Sequence, residues 1–235
     1  MLREMAEELD DRGTASLRLG ERCYDSPVLQ ELIGMVEADH RRILDVGTGT
    51  GSNLRAMKAR GHLVTGMTIS WEEAVECSRG GFQVVVADAA QPHLPFADQS
   101  FDGVLLSHVL EHLQEPASLL AALRPLVAEG GAIYVALPNA VHYKQRWEFM
   151  RGRFRYSETG IMDQTHLRFF DIGSARLLIE GAGYRIADQR VSGAVPSLGL
   201  RGKAPKLWSK LDEVGLARFP GLFGFHLMYK AVPAR

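Results

Sequence analysis

The sequence predicts an α/β protein built on a doubly wound, mostly parallel sheet, and three observations predict it. Short apolar runs of strand length alternate with amphipathic stretches of helix length, the pattern of a parallel sheet covered on both faces. The first run, Ile43-Leu44-Asp45-Val46, breaks directly into Gly47-Thr48-Gly49-Thr50-Gly51. Glycines at alternate positions permit positive φ and let backbone approach a ligand with no Cβ in the way. A helical stretch follows at once, so strand, bare turn and helix make a nucleotide-type pocket at the carboxyl edge of the sheet.

Each element has a local reason. Ser52 to Arg60 places Leu54 and Met57 on one helical face, and Gly61 stops it. Leu63 to Met67 reads as the second strand, after which Ser70 and Glu73 form a capping box opening a helix through Cys77. Gln83 to Ala87, Gly103 to Leu106 and Ala132 to Leu137 read as strands three to five. Between the last two, Pro116 suits a first helical position, Leu119, Leu120, Leu123 and Val127 supply the apolar stripe, and Gly130-Gly131 ends the unit. Asp171 caps a helix running to Ala182, and Gly183 turns into a sixth strand, Arg185 to Val191. Phe223 to Val232 is a β-rich terminal run.

Two stretches interrupt the alternation. Pro138 to Phe170 concentrates histidines and aromatics, among them His142, Tyr143, Trp147, Phe154 and His166. Ser192 to Leu222 carries Leu207, Trp208, Leu211 and Val214 at helical spacing. Long insertions at the functional edge of a compact fold are binding loops or lids, so both are read as a cap over the pocket. The second has alternatives: a helix covering core, a dimer face, or a membrane-surface element flanked by Arg201, Lys203, Lys206 and Lys210. The expected organisation is one domain over 1–235. Residues 1–40 form N-terminal lid helices, with Tyr24 in the lid, 41–137 form the cofactor-binding core, and 138–170 and 192–222 form the cap.

Composition narrows the function. Lys and Arg number 27 against 28 Asp and Glu in 235 residues, which gives no reason to expect a polyanion as partner. Neither a basic groove nor an appended binding domain is visible, so nucleic acid is not an expected substrate. Cys23 and Cys77 stand far apart and in no metal spacing, as suits a reducing cytoplasm. No signal peptide or membrane span is read. Arginine-for-lysine usage and abundant alanine suggest a bacterial genome rich in G and C.

The glycine turn is not a dinucleotide fingerprint, because its third glycine comes one place early at Gly51, and no Gly-Lys-Ser/Thr triplet follows to make a phosphate loop. The string, with Asp45 two positions before Gly47, resembles motif I of the class I S-adenosylmethionine (SAM)-dependent methyltransferases. Further matches follow in register: Asp88-Ala89 before Leu94-Pro95-Phe96, Ser100 to Val104 leading into Ser107-His108-Val109-Leu110-Glu111-His112-Leu113, and Leu123-Arg124-Pro125-Leu126 with Gly130-Gly131. The resemblance covers Ile43 to Val191. It implies a Rossmann-like, seven-stranded sheet with an antiparallel last strand, and SAM as cofactor, leaving S-adenosylhomocysteine as product. It also implies that Asp45, Gly47, Gly49 and Gly51 cradle the methionine and ribose portions, that Asp88 and Ala89 meet the adenine, and that Ser107 lies beneath the reacting methyl.

One departure stands out. Family members carry an acid for the ribose hydroxyls after the second strand, where this chain has Gly66-Met67-Thr68-Ile69-Ser70. Thr68 occupies the acid's position, a replacement also seen in the resembling cyclopropane fatty-acid synthases. From sequence alone, Thr68→Asp is expected to leave SAM affinity unchanged or to raise it.

Transfer of an activated methyl group needs an aligned acceptor and exclusion of water, and a hydroxyl acceptor also needs a base. His166, His108 and His142 are the base candidates, with His166 favoured because Asp163 to Phe170 resembles a string in bacterial methyltransferases of glycan and natural-product pathways. His108, Glu111 and His112 resemble the metal-binding Glu-x-x-Glu-His of ubiquinone-pathway and small-RNA methyltransferases. With His166 or His142 they could hold a divalent metal. Because Glu-His here also braces the turn in metal-free members, a metal-free site is the expected reading. The expected activity is O-methylation of a small molecule or saccharide in bacterial secondary or envelope metabolism. The alternatives are N- or C-methylation, a SAM-binding regulator without turnover, and an NAD-dependent dehydrogenase.

Overall fold

The structure, a computed structural model, describes residues 28–197, 199 and 201–234. Residues 1–27, including Tyr24 and most of the expected N-terminal lid, lie outside the described residues. The first described element is a single helical turn, α1 (Gln30–Ile33).

The chain then runs β1 (Arg42–Val46), α2 (Ser52–Ala59), β2 (Leu63–Thr68), α3 (Trp71–Arg79), β3 (Gln83–Val86) and β4 (Phe101–Ser107). After a 3-10 turn at Leu110–His112 come α4 (Pro116–Leu123), β5 (Val127–Pro138), α5 (Tyr143–Met150), α6 (Ile172–Gly181) and β6 (Tyr184–Gly193). The last elements are α7 (Pro205–Arg218), α8 (Pro220–Phe223) and β7 (Gly224–Pro233). The strand order is β3-β2-β1-β4-β5-β7-β6. Strands β1 to β5 pair in parallel, whereas β7 runs antiparallel between β5 and β6. The order reverses between β1 and β4, the topological switch point where open α/β sheets take their ligands.

Alternation across the pleat builds two cores. Leu44, Val46, Val104, Leu106, Ile133 and Val135 pack on one face; Ile43, Leu105, Ala132, Tyr134 and Ala136 pack on the other. Both faces of the central strands are therefore apolar, as covered parallel strands require. Asp171 caps α6 in a reciprocal capping box with Ser174, and Pro116 opens α4 at its first turn.

Gly130-Gly131 departs from expectation. The helix α4 ends at Leu123, a 3-10 turn at Arg124–Leu126 leads directly into β5, and the glycines lie inside β5 instead of closing the helix. Phe101 pairs with Val127 and Gly103 with Ala132, so residues 128–131 bulge out of the ladder. Gly130 supplies the positive φ of 80°, and a Cβ on Gly131 would meet Asp102 O at 2.6 Å.

In the second insertion, α7 forms where the apolar spacing places it, but it does not cover core. Leu207, Leu211 and Val214 are exposed. Among the described residues, no helix is long and apolar enough to cross a membrane.

Candidate active site

The carboxyl ends of β1, β2, β3 and β4 gather the residues singled out from sequence. Gly47, Gly49 and Gly51 have φ of 70°, 53° and 86°, a left-handed series closed to most side chains. The N–H groups of Gly47 and Thr48 both donate to Met67 O, tying the turn to the end of β2. Gly49 O takes the Cys77 thiol at 3.3 Å. On the other side Gly47 packs on Val109, whose Cγ2 would lie 2.8 Å from an added Cβ. The turn thus abuts the segment that carries His108.

Asp45 is 1% exposed. It accepts from Thr48 Oγ1 at 2.9 Å and Asn53 Nδ2 at 3.5 Å, both neutral donors. Burial pushes its carboxyl up to about 7, against the smaller opposing effect of those donors. A buried acid with neutral partners at the mouth of a bare turn suits a ligand bearing positive charge and hydroxyls, so the cradle fits the expected cofactor.

Thr68 has a carboxylate neighbour that pattern reading missed. Thr68 Oγ1 donates to Glu73 Oε2 at 2.5 Å and accepts from Ser70 N–H at 3.1 Å. Glu73, one turn into α3, is 4% exposed. Ser70 caps α3 by accepting from Glu73 N–H, as expected, but the Glu73 carboxylate turns to Thr68. A carboxylate therefore stands at the end of β2 after all, delivered from the helix. Asp88, just past β3, accepts from Ala90 N–H and Gln91 Nε2, and Ala89 packs against the core.

Beyond Ser107, His108 adopts φ 57°, an uncommon conformation for a non-glycine residue that concentrates at functional sites. Its Nδ1 lies 3.0 Å from Glu111 Oε1, and its Nε2 lies 3.1 Å from His226 Nδ1 on β7. Glu111 is fully buried. Burial, then the neighbouring His108, holds the His226 imidazole down to about 4, so that ring is neutral near pH 7. His226 was not among the sequence candidates; only the insertion of β7 beside β5 brings it to a residue 118 positions away.

The other two histidine candidates sit deeper. His142 is 3% exposed, edge-on to Phe225, and burial pushes its imidazole down to about 4. His166 is 9% exposed with Nδ1 3.0 Å from Ile161 O, and its ring meets that of His112 edge to face, centroids 4.8 Å apart. The metal alternative to the expected metal-free site involves a different grouping in space. His108 faces Glu111 as a hydrogen-bond partner, while Glu111, His112 and His166 are the donors that converge, all within 4.8 Å of one another.

Residues 5–189 match the model of a methyltransferase domain. A demethylmenaquinone methyltransferase of Thermobifida fusca is 34% identical over 100 residues, 40% of this chain and 42% of that protein. A ubiquinone biosynthesis O-methyltransferase of Aeromonas salmonicida is 31% identical over 104 residues, 42% of this chain and 44% of that protein. The chain thus spans less than half the length of these two curated relatives. A SAM-dependent methyltransferase structure from Archaeoglobus fulgidus has the same fold, with TM-score 0.62 at 22% identity over 86% of this chain and 90% of that one. The family match spans both the glycine turn and the His108 segment, and the chain accordingly belongs to the methyltransferase-domain family of SAM-dependent enzymes.

Proposed function

We propose that this protein transfers a methyl group from SAM to a hydroxyl of a small molecule, with a saccharide included among the acceptors, in bacterial secondary or envelope metabolism in the cytoplasm. When bound, SAM supplies an already activated methyl group. The chain's own residues then have three tasks. The turn at Gly47, Gly49 and Gly51 admits the donor's backbone-facing portion. Asp45 and Glu73 offer carboxylates to its ammonium and ribose hydroxyls, while Asp88, Ala89 and Ser107 line the strand ends beside them.

The observation that carries O-methylation is the Glu111–His108–His226 chain at the rim, one residue from the Val109 contact with the glycine turn. The acceptor's hydroxyl proton passes to the histidine pair, and Glu111 balances the charge that results. His108 is placed ahead of His166, the base favoured from sequence, because its side chain is 27% exposed beside the glycine turn whereas His166 is 9% exposed. The printed name of the Aeromonas relative, an O-methyltransferase, supports the same choice. Exposed Trp147, Phe154, Tyr156 and Phe169 on the insertion offer flat faces to a ring-shaped acceptor.

The test uses methyl-labelled SAM against a panel of phenols, catechols and saccharides. The reading expects label in O–CH₃ groups, and expects His108→Gln to slow turnover by about 100-fold or more with binding of S-adenosylhomocysteine retained. Label in N–CH₃ or C–CH₃ groups, or full activity of His108→Gln, contradicts it.

A further inference from the structure

Helix α7 presents its apolar stripe outwards. Its inner face is formed by Trp208, Asp212 and Gly215. The Arg201 guanidinium lies over the Trp208 ring and pairs with Asp212, and Asp212 Oδ1 accepts from Val195 N–H at 2.9 Å. Gly215 is buried against Val195 and the Phe223 ring. Leu207, Leu211 and Val214, at i, i+4 and i+7, stand on the outside, 57%, 41% and 65% exposed. Lys206 and Lys210 precede Leu207 and Leu211 by one position each, exposed and in no ion pair among the described residues.

The same character extends onto the first insertion. Helix α8 packs on α5 through Phe223 and Tyr143, ring centroids 6.1 Å apart. A groove of about 700 Å³ opens beside them, lined by Tyr143, Trp147, Met150 and Leu222. Among the described residues, eleven of the sixteen exposed large apolar side chains belong to 138–170 and 192–222, so exposed apolar surface is concentrated on the two insertions. Charge follows it. Residues 143–156 carry five cations and one acid, and residues 201–219 five cations and two acids, in a chain of net charge −1. The rest of the chain is therefore acidic by eight charges.

We propose that this face docks on an anionic lipid surface, with Leu207, Leu211 and Val214 at the hydrocarbon boundary and Lys206, Lys210 and the arginines of 151–155 among the headgroups. An apolar row beside a cationic row on an exposed helix is the pattern of an interfacial helix. Lysine stems lie along apolar surface while their ammonium groups reach the headgroups. At 14 residues α7 is too short to span a bilayer, so it lies along the surface. A second copy of the chain fits less well, because it would set cationic rows against each other. Nucleic acid would use the cations and leave the aliphatic stripe bare.

The experiment measures co-sedimentation of the full chain with vesicles of phosphatidylcholine and phosphatidylglycerol in equal parts, and with vesicles of phosphatidylcholine alone. Wild type is expected to bind the mixed vesicles at least about 10-fold more tightly than the neutral ones, and more weakly as salt is raised. Lys206→Glu/Lys210→Glu should lose about 30-fold or more on the mixed vesicles, and Leu207→Ser/Leu211→Ser about 10-fold or more. Arg60→Glu/Arg185→Glu, an equal charge change at exposed positions outside this face, should bind as wild type. Thermal melts check that each variant is folded. Val214→Trp adds a reading that needs no loss of binding: brominated lipid in the mixed vesicles should quench its fluorescence more than that of wild type. No preference for the mixed vesicles, equal loss in Arg60→Glu/Arg185→Glu, or undiminished binding by Leu207→Ser/Leu211→Ser overturns the proposal. So does a wild-type dimer that Leu207→Ser/Leu211→Ser dissociates, or single-stranded DNA that displaces the chain from the vesicles at equal phosphate. None of these readouts depends on methyl transfer, so the docking face stands or falls apart from the proposed activity.

Discussion

Thr68 and Glu73 give the sharpest quantitative prediction. The Thr68 hydroxyl donates to Glu73 Oε2 at 2.5 Å inside a buried pocket. Thr68→Asp replaces that donor with a second carboxylate. Two unit charges about 4 Å apart at an effective dielectric near 20 repel by about 4 kcal/mol, and proton uptake by one of them offsets part of this. A net loss of about 2–4 kcal/mol is expected, which for a chain of this size lowers Tm by about 5–15 °C. Affinity for S-adenosylhomocysteine should fall by about 10-fold or more, and the double variant Thr68→Asp/Glu73→Gln should recover most of both losses. Glu73→Gln alone keeps an oxygen for Thr68 but loses the charge, so it should weaken binding by about 1 kcal/mol at near-native stability. Calorimetry and thermal melts on the four proteins form a complete cycle. The expectation from sequence alone, that Thr68→Asp is harmless or helpful, thereby changes sign. A Thr68→Asp variant that melts and binds like wild type would refute the assignment of Glu73 to the ribose position.

Three further predictions follow from the same geometry. Asp45, with its carboxyl raised to about 7 by burial, holds its proton longer in the folded than in the unfolded chain, so ligand-free stability falls as pH rises from about 4 to about 7. Asp45→Asn should therefore out-stabilise wild type at pH 8 by up to about 4 kcal/mol, converge with it below about pH 4, and bind S-adenosylhomocysteine more weakly; denaturant melts that show no pH-dependent gap contradict this. Gly47→Ala strains a φ of 70° and brings a Cβ to 2.8 Å of Val109 Cγ2, so titration should show cofactor affinity reduced about 10-fold or more, only partly rescued by Val109→Ala. Asn139 is fully buried; its Nδ2 donates to Gly221 O and Gly224 O, and its Oδ1 accepts from Val141 N–H. Asn139→Ala should cost about 2–3 kcal/mol, read as a Tm drop of about 5–10 °C.

What the sequence made legible is what short-range chemistry decides. Asp171 and Ser174 cap one helix whatever surrounds them, and the run from Ile43 to Gly51 carries both its burial and its turn in nine residues. The bulge at 128–131 was harder, since glycines that end a helix and glycines that bend a strand look alike until the pairing partner is known. Side-chain partnerships across the sheet were not legible. His226 reaches His108 only because β7 inserts beside β5; the grouping of His166 with Glu111 and His112, by contrast, was among the alternatives the sequence offered, and the 161–166 loop brings the two rings together. Glu73 lay within reach of a local reading, yet its pairing with Thr68 depends on the bend at Ile69-Ser70, which a capping pattern does not specify.

The central claim is that the glycine turn at the β1–β4 switch point cradles SAM beside His108. A crystal structure with S-adenosylhomocysteine tests it most directly. The account predicts the sulfur over Gly47–Gly51, the ribose hydroxyls against Glu73, and His108 beside the position left by the methyl group. Ligand bound elsewhere on the sheet, or a turn that holds nothing at saturating concentration, contradicts it.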